Sequence, residues 1–261
     1  MTSTPPRPPR SAMPDRPLVV GHRGAAAVAP ENTLASFRRG VADGAQLLEC
    51  DVHLSADGHD VVIHDGTLDR TAQADSPLRT GAVSTFSRAS LDTVLVGEGE
   101  GIPDLSGVLD AAVREDGTRI PLLVEVKAAA AAAVVAQVLR ERFGADALAD
   151  EQTSPAWVIS FDAEALRTVR ELLPEVPLLL TCTRTTPELF AAAEELGVAQ
   201  IGIGIAEARQ ADVARCLALG VQLNLWTARS EVELDRALEL GCDTLTVDDP
   251  AWALAQLDAR R

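Results

Sequence analysis

Five polar clusters sit where apolar runs end in the first half of this 261-residue chain: His22-Arg23, Glu31-Asn32-Thr33, Glu49 with Asp51, His64-Asp65, and Glu125 with Lys127. Histidines move protons near neutral pH. Grouped carboxylates hold a hard cation through oxygen. Arg23 supplies a planar, permanently charged fork suited to phosphate oxygens, and Lys127 supplies a compact charge. Together these are the parts of a metal-assisted phosphodiester hydrolysis site.

The spacing sharpens the reading. Side chains alternate along a strand, so Glu49, Asp51 and His53 share one face while Leu48, Cys50, Val52 and Leu54 share the other. Two inward carboxylates are costly without a cation beside them, and Glu125 on the next strand can add a third oxygen. An exposed polar face is the alternative for Glu-x-Asp. It loses ground because parallel strands are buried on both faces. His22 and His64 each end a hydrophobic run, and a lone histidine there is more often structural. As a pair they suit acid/base work, one activating the nucleophile and the other protonating the departing alkoxide. Arg23 and Lys127 can also partner nearby carboxylates. Asn32 and Thr33 read as caps for the helix beginning at Leu34, and Glu31 is open between loop anchoring and support of the site. Trp226 could wall a small polyol or pack in the core. No dinucleotide fingerprint or phosphate-cradling loop occurs.

What must position these groups is a repeated βα pattern. Eight apolar strands are expected, at 18–21, 46–54, 122–127, 156–161, 177–182, 200–205, 221–226 and 244–247. Most precede Ala/Leu-rich amphipathic segments, such as 33–43, 163–173, 187–196, 208–219 and 231–240. The expected fold is therefore α/β, a TIM-type (β/α)8 barrel with a small excursion in the second βα connection. Asp57-Gly58 followed by Val61, Val62 and Ile63 suggests a hairpin-like return. Residues 76–101 then form an excursion above the mouth that could cover part of a pocket, and Leu105 to Arg114 resumes a helix. A closed parallel barrel carries its chemistry at the C-terminal ends of its strands, which is where the clusters fall.

Residues 1–16 hold prolines and arginines without an apolar h-region and read as a disordered leader, with 17–261 as a single barrel domain. The net charge of −16 opposes nucleic acid and stable adsorption to anionic membranes, so a phosphate substrate needs local positive charge. The four cysteines are widely spaced and read as buried hydrophobes in a reducing compartment, which places the protein in the cytoplasm. The sequence leaves the oligomeric state unknown.

At these residues the chain resembles the glycerophosphodiester phosphodiesterase family. The resemblance rests on Gly21-His22-Arg23-Gly24, Pro30-Glu31-Asn32-Thr33, Glu49-Cys50-Asp51-Val52, Asp57-Gly58, Val62-Ile63-His64-Asp65 with Thr67-Leu68-Asp69-Arg70-Thr71, then Glu125-Val126-Lys127, Ser160-Phe161 and Trp226-Thr227. It implies cleavage of a small-molecule glycerophosphodiester to sn-glycerol 3-phosphate and an alcohol, with one divalent cation, Ca2+ or Mg2+. Carried over by position, Glu49, Asp51 and Glu125 become metal ligands and His22 and His64 the acid/base pair. Arg23 and Lys127 would hold phosphate, with Trp226 near the glycerol. A lysophospholipase D-like reaction and a non-catalytic phosphate-binding barrel are the competing functions. Two stretches depart from the family pattern: Ala228-Arg229 stands where valine and asparagine are common, and Thr246-Val247-Asp248-Asp249-Pro250 where Thr-Asp-x-Pro is usual. Neither is expected to touch the metal or the proton-transfer groups, so they bear only on details of the substrate pocket, including any role of Asp248.

Overall fold

A computed structural model of the protein describes residues 16–260. Eight parallel strands close on themselves: β1 (Leu18–Gly21), β2 (Leu47–Leu54), β3 (Leu122–Val126), β4 (Ala156–Ser160), β5 (Leu178–Cys182), β6 (Gln200–Gly204), β7 (Gln222–Ala228) and β8 (Thr244–Val247), with β8 pairing back onto β1. The helices that follow them are α1 (Leu34–Ala42), α2 (Leu105–Ala111), α3 (Ala131–Leu148), α4 (Ala163–Leu172), α5 (Pro187–Leu196), α6 (Gln210–Leu219), α7 (Glu231–Leu240) and α8 (Pro250–Ala259). This is the expected (β/α)8 barrel. The proposed leader lies outside the described residues except Arg16, which pairs with Asp258 at 2.7 Å.

Local chemistry explains where the helices begin. Thr33, Asp104, Asp162, Thr186, Ser230 and Asp249 each accept a hydrogen bond from a backbone N–H of the first turn, satisfying donors the helix cannot satisfy itself. Three elements differ from expectation. Helix α2 ends at Ala111, because Val113 and Arg119 form a small antiparallel bridge. Helices α3 and α8 were not marked by an amphipathic stripe, since Ala-rich α3 and Trp/Leu/Ala-rich α8 show little separation of polar and apolar faces.

Alternation sorts the β2 side chains as the sequence implies. Leu48, Cys50 and Val52 join the large core between strands and helices, while Leu47 joins Val20, Leu123, Trp157, Ile159, Leu179 and Ala199 in a second, smaller cluster. Leu123, Ile159 and Leu179 from that cluster form an apolar floor under the mouth cavity. Asp60–Val62 returns antiparallel along β2, as the Asp57-Gly58 turn predicts. The excursion begins earlier than the expected residue 76: Val61, Ile63 and Leu68 share one core with Val83, Leu91, Val94, Val96 and Ile102, so the segment that carries Asp69 and Arg70 belongs to it. All four cysteines are buried and none forms a disulfide, and no described helix is long and apolar enough to cross a membrane.

Strand β1, its loop and α1 meet at glycines. A Cβ on Gly40, inside α1, would lie 2.7 Å from Leu48 Cδ2 and 2.8 Å from the Gly24 carbonyl oxygen. Helix propensity alone favours alanine by about 1 kcal/mol. Overpacking costs about 1–3 kcal/mol, and a backbone oxygen cannot rotate away. Gly40→Ala is therefore expected to lower stability in denaturant unfolding, and a stabilised variant would show that this approach can relax.

Candidate active site

The strand ends converge on one cavity of about 140 Å3. His22 and Arg23 follow β1, Glu49 lies on β2, Glu125 on β3 with Lys127 just beyond it, and Trp226 on β7; His64 follows the antiparallel return, and all seven line the cavity. Asp51 does not reach the cavity wall. It is 1% exposed and lies directly beside Glu125 in the β2–β3 register. The wall from β5 to β8 carries the neutral polar side chains Thr181, Asn224, Thr227 and Thr246, with the charged Arg229 just beyond β7, and Phe161 meets Trp226 edge to face at 5.5 Å.

The loop after β1 is held in an unusual conformation. Arg23 has φ +50° and Asn32 φ +56°, both left-handed, and the Ser36 hydroxyl ties the Arg23 carbonyl to the Ala25 N–H at 2.8 Å each. The result aims the Arg23 N–H at Glu49 Oε2 (2.9 Å) and its guanidinium at Glu31 (2.9 Å) and Asp51 (3.3 Å). Asn32 does not cap α1; Thr33 does. The left-handed turn directs the Asn32 amide inward, where Nδ2 donates to Asp51 Oδ2 at 2.8 Å. Glu31 bridges Arg23 and Arg70, so it anchors the loop and supports the site at once.

Glu49, Asp51 and Glu125 are buried and offer oxygens within 4.8 Å of one another. Burial, reinforced by repulsion from Asp51, pushes Glu125 up to about 7 against the pull of Lys127 at 2.9 Å. Burial and the same repulsions raise Glu49 as well. Burial also disfavours the Asp51 charge, but Lys127, Arg23, His64 and the Asn32 hydrogen bond outweigh it and leave this carboxyl below its ordinary value. Glu49 Oε1 is buried without a hydrogen-bond partner. An all-oxygen set with one orphaned carboxylate oxygen fits a hard divalent cation.

The histidines are held alike. His22 Nδ1 lies 2.5 Å from Asp248, which is also paired with Arg229, and His64 Nδ1 lies 2.6 Å from Asp65, which Arg70 grips at 2.7 Å. Burial disfavours the Asp248 charge, but His22 and Arg229 outweigh it, and the Arg70 hydrogen bonds hold Asp65 far below its ordinary value. Ionised carboxylates only accept, so Nδ1 carries the proton in both rings and Nε2 is left as the free nitrogen. Burial pulls the His64 ring below its ordinary value despite Asp51 and Asp65.

Comparison with known proteins gives this arrangement its family. The profile of the glycerophosphoryl diester phosphodiesterase family matches residues 22–252. The chain belongs to that family. It is 31% identical over 262 residues to the protein named probable glycerophosphodiester phosphodiesterase 1 of Mycobacterium tuberculosis, covering 94% of each chain. It is 29% identical to a glycerophosphodiester phosphodiesterase of Caldanaerobacter subterraneus, covering 89% of this chain and 94% of the other. The fold matches a phosphodiesterase of Oleispira antarctica, solved with the product sn-glycerol-3-phosphate, at TM-score 0.79 and 24% identity over 93% of this chain and 97% of that one. This glycerophosphodiester phosphodiesterase is thus a phosphoric diester hydrolase by family.

One expectation is corrected by the geometry. The two departures from the family pattern do reach a proton-transfer candidate, because closure of the barrel sets β8 beside β1 and brings Asp248 onto His22, with Arg229 behind it. Their only signal in the sequence was position at the ends of β7 and β8. Among the described residues none between 65 and 122 lines this cavity; Thr71, Val96 and Ile102 of the excursion instead line a smaller one beside Glu31, Asn32 and His64.

The raised Glu125 makes a pH test available. Its contribution to the stability of cation-free protein is fully present below its ordinary 4.5 and is lost as pH rises through about 7. Glu49 acts with the same sign. A bound cation offsets that loss, so the increase in melting temperature on adding a divalent cation is expected to grow from about pH 5.5 to about pH 8. Glu125→Gln should flatten the trend; an unchanged trend in that variant would remove Glu125 from the cation site.

Proposed function

We propose that the protein hydrolyses water-soluble glycerophosphodiesters to sn-glycerol 3-phosphate and an alcohol, with His22 and His64 as the acid/base pair. The observation that carries the reading is that both rings face one cavity with Nδ1 committed to an aspartate, beside a buried acidic triad and two cationic side chains. The Oleispira antarctica protein, of the same fold, holds this product.

Glu49, Asp51 and Glu125 would hold one divalent cation, for which Ca2+ and Mg2+ are the candidates by ligand type. When bound, such an ion supplies Lewis-acid polarisation of a phosphoryl oxygen. Arg23 and Lys127 bind and orient the phosphate, the first by its fork and the second by its charge. Nε2 of one histidine takes the proton of the attacking hydroxyl as the new P–O bond forms. Nε2 of the other donates a proton to the alkoxide as the old P–O bond breaks, and proton exchange with solvent then returns both rings to their starting states. Locked Nδ1–H groups keep both rings in the tautomer this needs. The Phe161 and Trp226 rings wall the neutral side of the cavity, where a glycerol skeleton can lie against apolar surface. Four buried cysteines without a disulfide suit a reducing compartment such as the cytoplasm.

The test is release of sn-glycerol 3-phosphate from glycerophosphocholine, with Ca2+, with Mg2+ and with chelator, against a lysophospholipid as competing substrate. His22→Ala and His64→Ala are each expected to stay folded and lose about 10²–10⁴-fold in turnover. Near-normal rates in either variant would overturn the acid/base assignment, and faster cleavage of the lyso-lipid would overturn the substrate class.

A further inference from the structure

The excursion does not line the cavity, yet one of its residues touches the site from behind. Arg70 follows Leu68, which is fully buried in the excursion's core and donates its N–H to the Gly81 carbonyl at 3.1 Å. From this anchored turn the Arg70 side chain reaches two carboxylates. Nε and Nη2 donate to the two oxygens of Asp65 at 2.7 and 3.2 Å, while Nη1 and Nη2 donate to those of Glu31 at 2.7 Å each. Asp65 holds His64 Nδ1, and Glu31 holds the Arg23 guanidinium. A single guanidinium therefore joins the groups proposed for proton transfer and for phosphate binding.

We propose that Arg70 is a positioning residue that sets His64 and Arg23 in one fixed relation, and that presenting it is the catalytic contribution of the excursion. The inference rests on the roles proposed above for His64 and Arg23. Three observations favour positioning over mere adhesion. The Arg70 side chain is half-exposed, and exposed ion pairs add little to folding stability. Each of its carboxylate partners spends an oxygen on a group that lines the cavity. The geometry also demands an arginine, because two carboxylates gripped in parallel need a planar fork, whereas a lysine presents one point charge. The second histidine offers an internal contrast. Its aspartate, Asp248, is backed by Arg229, whose side chain pairs with Asp248 and lines the cavity itself, with no ion pair to Glu31.

The test compares Arg70→Ala, Arg70→Lys and Arg229→Ala with the parent enzyme. Turnover and KM are measured on glycerophosphocholine, together with melting temperature and the nitrogen-15 NMR signals of the His64 ring. Arg70→Ala is expected to lose about 10–100-fold in kcat, by analogy with groups that orient metal ligands, and to raise KM as Arg23 loosens. Its melting temperature should move by no more than about 4 °C. Arg70→Lys is expected to recover little, while added guanidinium ion should restore part of the kcat of Arg70→Ala. Arg229→Ala should lower kcat with KM nearly unchanged. The His64 ring, Nδ1-protonated in the parent, should lose that preference in Arg70→Ala. Parent-like kcat and KM in Arg70→Ala, or full recovery in Arg70→Lys, would overturn the proposal. Absence of hydrolysis by the parent would refute the proposed activity instead, and an unchanged His64 tautomer in Arg70→Ala would then overturn the positioning role independently.

Discussion

Three carboxylates, Glu49, Asp51 and Glu125, are buried side by side at the end of a parallel barrel, and the rest of the site is arranged around that burden. A charge taken out of water is tolerated only when paired and hydrogen-bonded. The protein supplies two cationic side chains, Arg23 and Lys127, and one amide, Asn32. The left-handed backbone at Arg23 serves this need, because it points the peptide N–H at Glu49 while the guanidinium turns to Asp51 and Glu31. So does the left-handed Asn32, whose side chain would otherwise be free to cap the helix. Backbone strain is thus placed where it meets the buried charge.

The barrel makes this arrangement possible by dividing its interior. Leu47 and Leu123 precede Glu49 and Glu125 by two residues, so the same strand face that closes the floor carries the carboxylates one step higher. Around the ring the character changes from charged at the ends of β1 to β3 to mainly hydroxyl and amide on β5 to β8, where Arg229 beyond β7 is engaged by Asp248. Gly202 on β6 contributes no side chain, and a Cβ there would strike Thr181 Oγ1 at 2.8 Å. Charged and neutral halves facing each other suit a ligand with one ionic part and one hydroxylated part.

What the sequence made legible was everything that depends on local periodicity. The strand ends, the inward face of β2, the return after Asp57-Gly58 and the grouping of His22, Arg23, Glu49, Glu125 and Lys127 all follow from alternation and from the rule that barrel chemistry sits at strand C-termini. Contacts that depend on closure were not legible. Asp248 is 226 positions from His22 and becomes its neighbour only because β8 pairs with β1. Arg70 reaches Glu31 across 39 positions through an excursion whose path no periodic pattern dictates. Asn32 was misread for a different reason: its residue type fits a cap as well as a site, and only its φ decides between them.

The charge balance at the centre also bears on what the enzyme needs in order to bind its substrate. The whole chain carries −16, so nothing at long range draws a phosphodiester in. Within the site, Arg23 and Lys127 are already engaged with the triad at 3.3, 3.4 and 2.9 Å, two positive charges against three carboxylates. Adding a phosphodiester anion to that set without further positive charge would bury two surplus negative charges, unless Glu49 or Glu125 takes up protons, as their raised affinities permit. Protonation would cost the oxygen donors their ability to hold a hard cation. The donor set therefore points to a divalent cation on chemical grounds as well as by family, because two positive charges in the triad would let the carboxylates stay ionised and would leave the charge of Arg23 and Lys127 available to an anion.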